Sequence, residues 1–175
     1  MAGRAAVCLG TGAAVPVRSG IADLAVAQTV LLHVPRATLP KTLAEMVRVV
    51  RPGGRVISVD QDMDGWLVDH PDRETTTRLL RQNTIHRSGE GWAGRRMPGL
   101  FRAAGLRDVD VVATTHIDTV KDSHLHNNVL RMLAEQVAGG LVPEREADRW
   151  RDQLEAQPDF FSALTYYRCT GTVPT

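Results

Sequence analysis

Apolar positions along this chain change period in a regular order, and each change marks an element. Residues 24–29 form a short apolar run of strand length, Leu-Ala-Val-Ala-Gln-Thr. Over residues 37–50 the pattern turns helical. Leu43, Met46, Val47 and Val50 recur at helical spacing, with Glu45, Arg48 and Arg51 interleaved. Pro52 disfavours helical geometry at Arg51, and Gly53 and Gly54 permit the tight reversal that must follow. Residues 55–59, Arg-Val-Ile-Ser-Val, then restart as a β-branched strand ending on Asp60. Helix, tight turn and buried strand make one αβ unit of a parallel sheet.

The rest of the chain divides in the same way. Residues 4–9 read as a further strand and 72–85 as a threonine-rich helix. Residues 97–104 predict a short helix anchored by Phe101 and stopped by Gly105. Residues 108–115 alternate as a strand. Ser123 caps a helix to Ala138, and Pro143 opens another to Glu155 with acidic residues in its first turn. Residues 160–170 form the closing strand.

Composition narrows the function classes. At 175 residues and 43% hydrophobic content the chain can bury a core, and one domain over 1–175 is expected. A formal net charge of +1 argues against a dedicated nucleic-acid binder. The arginines scatter: Arg78 and Arg81 on one helix, Arg95 and Arg96 in a loop, and Arg145, Arg149 and Arg151 on another helix. They read as solvated faces. Cys8 and Cys169 lie far apart without metal-ligand spacing, as two reduced thiols of a cytoplasmic protein would. Residues 5–17 are apolar but broken by glycines and Pro16, and lack a cleavage site. No stretch approaches the roughly 20 apolar residues of a membrane span. A small molecule is the expected partner, rather than a membrane or a nucleic acid.

Two flanks of the αβ unit carry a resemblance. Upstream, Asp23-Leu24 leads through Gln28 to Leu32-His33-Val34; downstream come Asp60, Asp62, Asp64, Trp66 and then His70-Pro71-Asp72-Arg73. A later run joins Gly91-Trp92 and Gly94-Arg95-Arg96 to Pro98, Leu100-Phe101-Arg102 and Ala104-Gly105-Leu106. Together, from about residue 10 to residue 171, the chain resembles the class I S-adenosylmethionine (SAM) dependent methyltransferases, of the small-molecule type common in bacterial secondary metabolism. The resemblance implies a Rossmann-like α/β fold, a mostly parallel sheet with an antiparallel last strand, flanked by helices. The family's strand order is 3-2-1-4-5-7-6. By that likeness residues 1–23 are a remnant of the third-strand region and 24–175 the C-terminal half of a truncated fold.

The same likeness sets expectations about the cofactor. The family holds SAM mainly through its first half, by a Gly-rich turn and an acidic residue on the ribose hydroxyls. Gly10-Thr11-Gly12 could be such a turn after the strand at 4–9, but Pro16 and Gly20 follow where a helix should open. A gapless register with the family's third-strand segment fits better, and it sets Thr11 where an acid usually faces the adenine amino group. Candidate cofactor residues are therefore Thr11, Gly12, Ala27, Gln28 and Thr29, with weak or absent SAM binding by the chain alone. Without the first two strands, the strand at 24–29 lacks a neighbour. An unpaired apolar edge must be covered or joined. Either the 4–9 strand fills the slot, or two chains form a homodimer across it.

Candidate chemistry follows the carboxyl ends of the central strands, where open α/β sheets bind ligands. Gln28 and Thr29 either touch the cofactor or satisfy backbone groups at a strand end. His33 is a candidate general base, or a packing residue. Asp60, Asp62 and Asp64 alternate, but the bidentate glutamate of a Ca²⁺ loop is missing, so no metal is expected. Asp62 is instead a candidate substrate rim. Trp66 and Trp92 either line a pocket or belong to the core, and His116 ends a strand on the same nominal face. Asp72 reads as a helix start, while His124 and His126 read as surface. Three activities are compatible with these residues. They are methyl transfer to a small natural product, a SAM-independent cyclase or isomerase of methyltransferase descent, and a non-catalytic half that needs a partner.

Overall fold

In the computed structural model, which describes residues 6–85 and 89–175, a five-stranded sheet organises the chain. β1 (Ala22–Gln28) and β2 (Val50–Gln61) pair in parallel, joined by α1 (Leu39–Val49). β3 (Leu67–Val68), α2 (Arg73–Ile85), α3 (Ala93–Ala103) and β4 (Arg107–Asp118) follow. α4 (His124–Ala138), α5 (Glu144–Ala156) and β5 (Ser162–Thr172) complete it. β5 inserts between β2 and β4, antiparallel to both, and its first residues also pair with β3. Four strands thus share one direction and β5 alone opposes them. The mostly parallel sheet with an antiparallel last strand is the one that the family resemblance implies.

Alternation along β2 decides what the sheet buries. Val56, Ser58 and Asp60 turn to one face, which α1 and α3 cover. Cys169 and Gly171 of β5 pair with Ser58 and Val56 and face the same way, Gly171 lying against Phe101 of α3. The opposite face carries Leu24 and Val26 of β1 beside Ile57 and Val59 of β2. It is open there: Leu24 is 47% and Val26 57% exposed. Among the described residues β1 pairs only with β2, so its outer edge is free.

The reversal after α1 is built into β2. The register slips between Ala22 and Leu24, and Arg51 to Gly54 form the extra loop. Gly53 has φ +74, and a Cβ on Gly54 would lie 2.8 Å from the Asp23 carbonyl oxygen. Both glycines are needed, the first for backbone conformation and the second for close approach. Helix boundaries follow their caps. The Asp72 carboxylate accepts from Thr75 N–H at 3.0 Å to start α2, and Ser123 Oγ accepts from His126 N–H at the start of α4.

Three readings of the sequence need correction. Arg4 and Ala5 lie outside the described residues, and Ala6 to Leu9 form no strand; Val7 and Leu9 are almost wholly exposed. A strand needs a ladder partner, and residues 6–9 meet none among the described residues; only the stretch that follows, residues 12–17, lies on α1. Val15 N–H donates to Glu45, while Arg48 donates to the carbonyls of Val15 and Val17. Arg95 and Arg96 lie in the first turn of α3, not in a loop, because Pro98 in the next turn deletes only the backbone bond to Gly94. His126 is not on the surface. It is 2% exposed, edge-on to Phe160, with Nε2 3.1 Å from the Glu155 carboxylate. Among the described residues no helix is long and apolar enough to cross a membrane.

Candidate functional site

The site begins where β1 and β2 end. Thr29 N–H still donates to Val59 O at 2.8 Å, but the Thr29 backbone takes φ +54, a strained conformation for a β-branched residue. The chain then enters the 3-10 turn Leu31–His33. Leu31 and Leu32 sink into the core, while His33 stays exposed at the rim. Asp60, at the end of β2, secures that turn from below: its Oδ1 accepts from Leu32 N–H at 3.1 Å. The carboxyl is 1% exposed. Burial pushes its pKa up to about 6, against the opposing backbone N–H groups of Leu32, Leu31 and Val30.

A cavity of about 150 Å³ opens above these strand ends, lined by Thr29, His33, Gln61, Trp66, His124 and Asn128 among others. A second, of about 590 Å³, shares His33, Asn83, Arg131, Met132 and Glu135 with it, so the two form one crevice between the turn, α2 and α4. Trp66 also walls a third cavity of about 430 Å³ beneath α2. Its ring is 5% exposed and Nε1 donates to Ser162 Oγ at 2.9 Å, so the tryptophan is both core and wall.

The structure therefore brings Thr29, His33 and Trp66 together. The other expected residues lie elsewhere. Gln28 is exposed at the strand end and lines none of these cavities, and the Ala27 side chain packs in the core. Thr11 and Gly12 lie on the arm along α1, with Gly12 against Thr42. Asp62 is 3% exposed at its side chain and is held by both Nε and Nη2 of Arg95. Trp92 donates from Nε1 to Asp64 Oδ2 at 2.8 Å and lies beside two guanidinium groups, of Arg95 at 5.2 Å and Arg96 at 5.7 Å. Arg95 thus engages Asp62 and Asp64, Asp60 is held by backbone N–H, and no metal-holding group occurs among the described residues. His116 is on β4, 3.0 Å from Asp118 and outside the crevice.

Sequence reasoning missed Gln61, Asn83 and the whole α4 wall. One signal was available. His124, Asn128, Arg131 and Glu135 recur at helical spacing, a polar stripe set apart from the buried Leu125, Val129 and Leu133.

Comparison with known proteins agrees with this fold. Residues 2–58 match a family model described as a methyltransferase domain. An uncharacterized 37.1 kDa protein in a Streptomyces fradiae transposon is 35% identical over 155 residues, covering 87% of this chain and 44% of its own length. The chain thus spans less than half of that relative. A SAM-dependent methyltransferase from Thermotoga maritima superposes with a TM-score of 0.50 at 14% identity, over 93% of this chain and 61% of its own. A Bacillus halodurans protein assigned to the methyltransferases superposes at 0.55 and 13% identity, over 95% and 70%. At such identities the likeness is one of fold. Residues 2–58 thus match a methyltransferase domain, and the described chain has the α/β fold of the SAM-dependent methyltransferases on which it superposes.

Proposed function

We propose that this chain forms the acceptor side of a SAM-dependent methyltransferase acting on a small natural product. The observation that supports this is the crevice at the carboxyl ends of β1 and β2, where Thr29, His33 and Trp66 converge. Its walls hold and orient the acceptor, and the His33 imidazole takes the proton that a hydroxyl or amine gives up on methylation. Bound SAM would supply the methyl group.

The residues present do not by themselves fit the cofactor. Ala27 turns into the core, and the nearby carboxylates of Asp60 and Asp62 are committed below the surface. Among the described residues no strand runs through a Gly-rich turn into a helix. We therefore expect the 175-residue chain to bind SAM weakly. Each missing charge-assisted hydrogen bond costs about 1.5–3 kcal/mol, and two or three together move a micromolar ligand toward millimolar. Calorimetric binding in the low-micromolar range would overturn that expectation.

The free edge of β1 belongs to the same proposal. A second copy would pair there antiparallel about a twofold axis, covering Leu24 and Val26, and a net charge near zero opposes association little. The two cysteines, Cys8 exposed and Cys169 buried, are free, in keeping with a cytoplasmic protein.

The decisive experiment incubates the purified chain with millimolar radiolabelled SAM and a panel of hydroxylated and aminated small molecules. Methyl incorporation should fall tenfold or more in His33→Ala, with an unchanged melting temperature. A folded protein that labels no acceptor would sink the proposal.

A further inference from the structure

The crevice below His33 carries hydrogen-bonding capacity that the fold does not use. Gln61 Oε1 at the end of β2, Gln82 Oε1 and Asn83 Nδ2 on α2, and Gln136 Oε1 on α4 are all buried without a partner among the described residues. Gln61 is 7% and Gln136 4% exposed. Gln136 Nε2 donates to Leu79 O at 2.8 Å, which leaves its Oε1 as the unpaired acceptor. Buried polar atoms are normally paired, so unpaired carboxamides from three elements around one crevice call for a ligand or ordered water.

Their chemistry also narrows the ligand. Gln61 lines the smaller cavity, Gln82 and Gln136 the larger, and Asn83 both. Carboxamides are neutral and match hydroxyl groups, which donate and accept alike. The charged residues of the crevice do not ask for an ion, since Arg131 and Glu135 face each other at 3.9 Å. Apolar surface comes from Met132 and Leu141 and, in the smaller part, Trp66.

We propose that this crevice binds an uncharged polyhydroxylated ring, a sugar or cyclitol, as the methyl acceptor. In the present conformation the unpaired atoms are covered, so the carboxamides of Gln61, Asn83 and Gln136 rotate toward the ring, Gln61 Oε1 and Gln136 Oε1 to accept from its hydroxyls and Asn83 Nδ2 to donate to one of its oxygens. This rests on the methyltransferase reading for the word acceptor, but the binding itself needs no cofactor.

The test uses the whole chain with myo-inositol as probe, and benzoate and cyclohexanol as anionic and weakly polar controls. Side-chain amide resonances of Gln61, Asn83 and Gln136 are followed by ¹⁵N NMR. Myo-inositol should shift them saturably, with a dissociation constant on the order of 1 mM for so small a ligand. Gln61→Met and Gln136→Met should each weaken binding about fivefold to tenfold, the worth of one hydrogen bond, while Arg73→Ala in the separate cavity leaves it unchanged. If either variant fails to fold, contacts from inositol protons to the same amides in the wild-type protein decide the matter. Absence of a saturable shift, or equal binding of cyclohexanol, would mean that water alone satisfies these groups, and the inference falls. Inositol binding without methyl transfer to any acceptor would overturn the methyltransferase proposal alone.

Discussion

Asp60 offers a pH signature that can be worked from its surroundings. The carboxyl is 1% exposed, with one oxygen on Leu32 N–H and the other unpartnered among the described residues. Its pKa moves from 3.8 to about 6, chiefly because burial disfavours the charged form. At roughly 1.4 kcal/mol per pH unit that shift amounts to about 3 kcal/mol. The folded protein holds this proton more tightly than the unfolded chain does. The group's contribution to stability is therefore fully present below about pH 4 and is lost as pH rises through about 6. Asp60→Asn cannot titrate. Urea unfolding of both proteins between about pH 3.5 and 7.5 should show wild-type stability falling relative to the variant by about 3 kcal/mol across that window, and level beyond it. Other carboxyls cancel in the difference. A difference that is flat, or that grows in favour of wild type with rising pH, would refute the burial argument. It would mean that the N–H groups of the turn dominate and hold the charged form.

Two further changes probe the walls of the site. Arg95→Met leaves the buried Asp62 carboxylate with only the Asp64 N–H and no cation; since Arg95 is half exposed, a loss of about 2 kcal/mol is expected in urea, only partly recovered in Arg95→Lys because the two-pronged contact is gone. A loss below about 0.5 kcal/mol would make the pair a bystander. Gly94→Ala would drive a methyl into the Tyr167 ring and within 3.1 Å of Asp62 N, costing about 1–3 kcal/mol by thermal unfolding, and a neutral result would show that α3 can shift. For the dimer, Val26→Lys on the open face of β1 should turn a dimeric elution into a monomeric one; a monomer at micromolar concentration before any mutation would refute edge pairing.

The sequence by itself determined most elements and the order in which they meet. Apolar spacing in α1 marks the buried Leu43 and Met46, Asp72 and Ser123 announce two helix starts, and the β-branched run of β2 announces a central strand. Those signals come from residues a few positions apart, so they survive without knowledge of the rest of the chain. The family motifs carried the strand order. Tertiary structure decided everything that depends on distant partners. Residues 6–9 could become a strand only by pairing with another segment, and they leave the free edge of β1 unpaired. Asp62, read as a free rim, is taken by Arg95 thirty-three positions later, and His126, read as surface, is buried beside Phe160 and Glu155. The crevice itself exists only because β2, α2 and α4 converge, which brings Gln61, Asn83 and Gln136 around one space. No local period records such a meeting, because the free energy that places these amides comes from the burial of other residues of the same helices, namely Leu79 of α2 and Leu125, Val129 and Leu133 of α4.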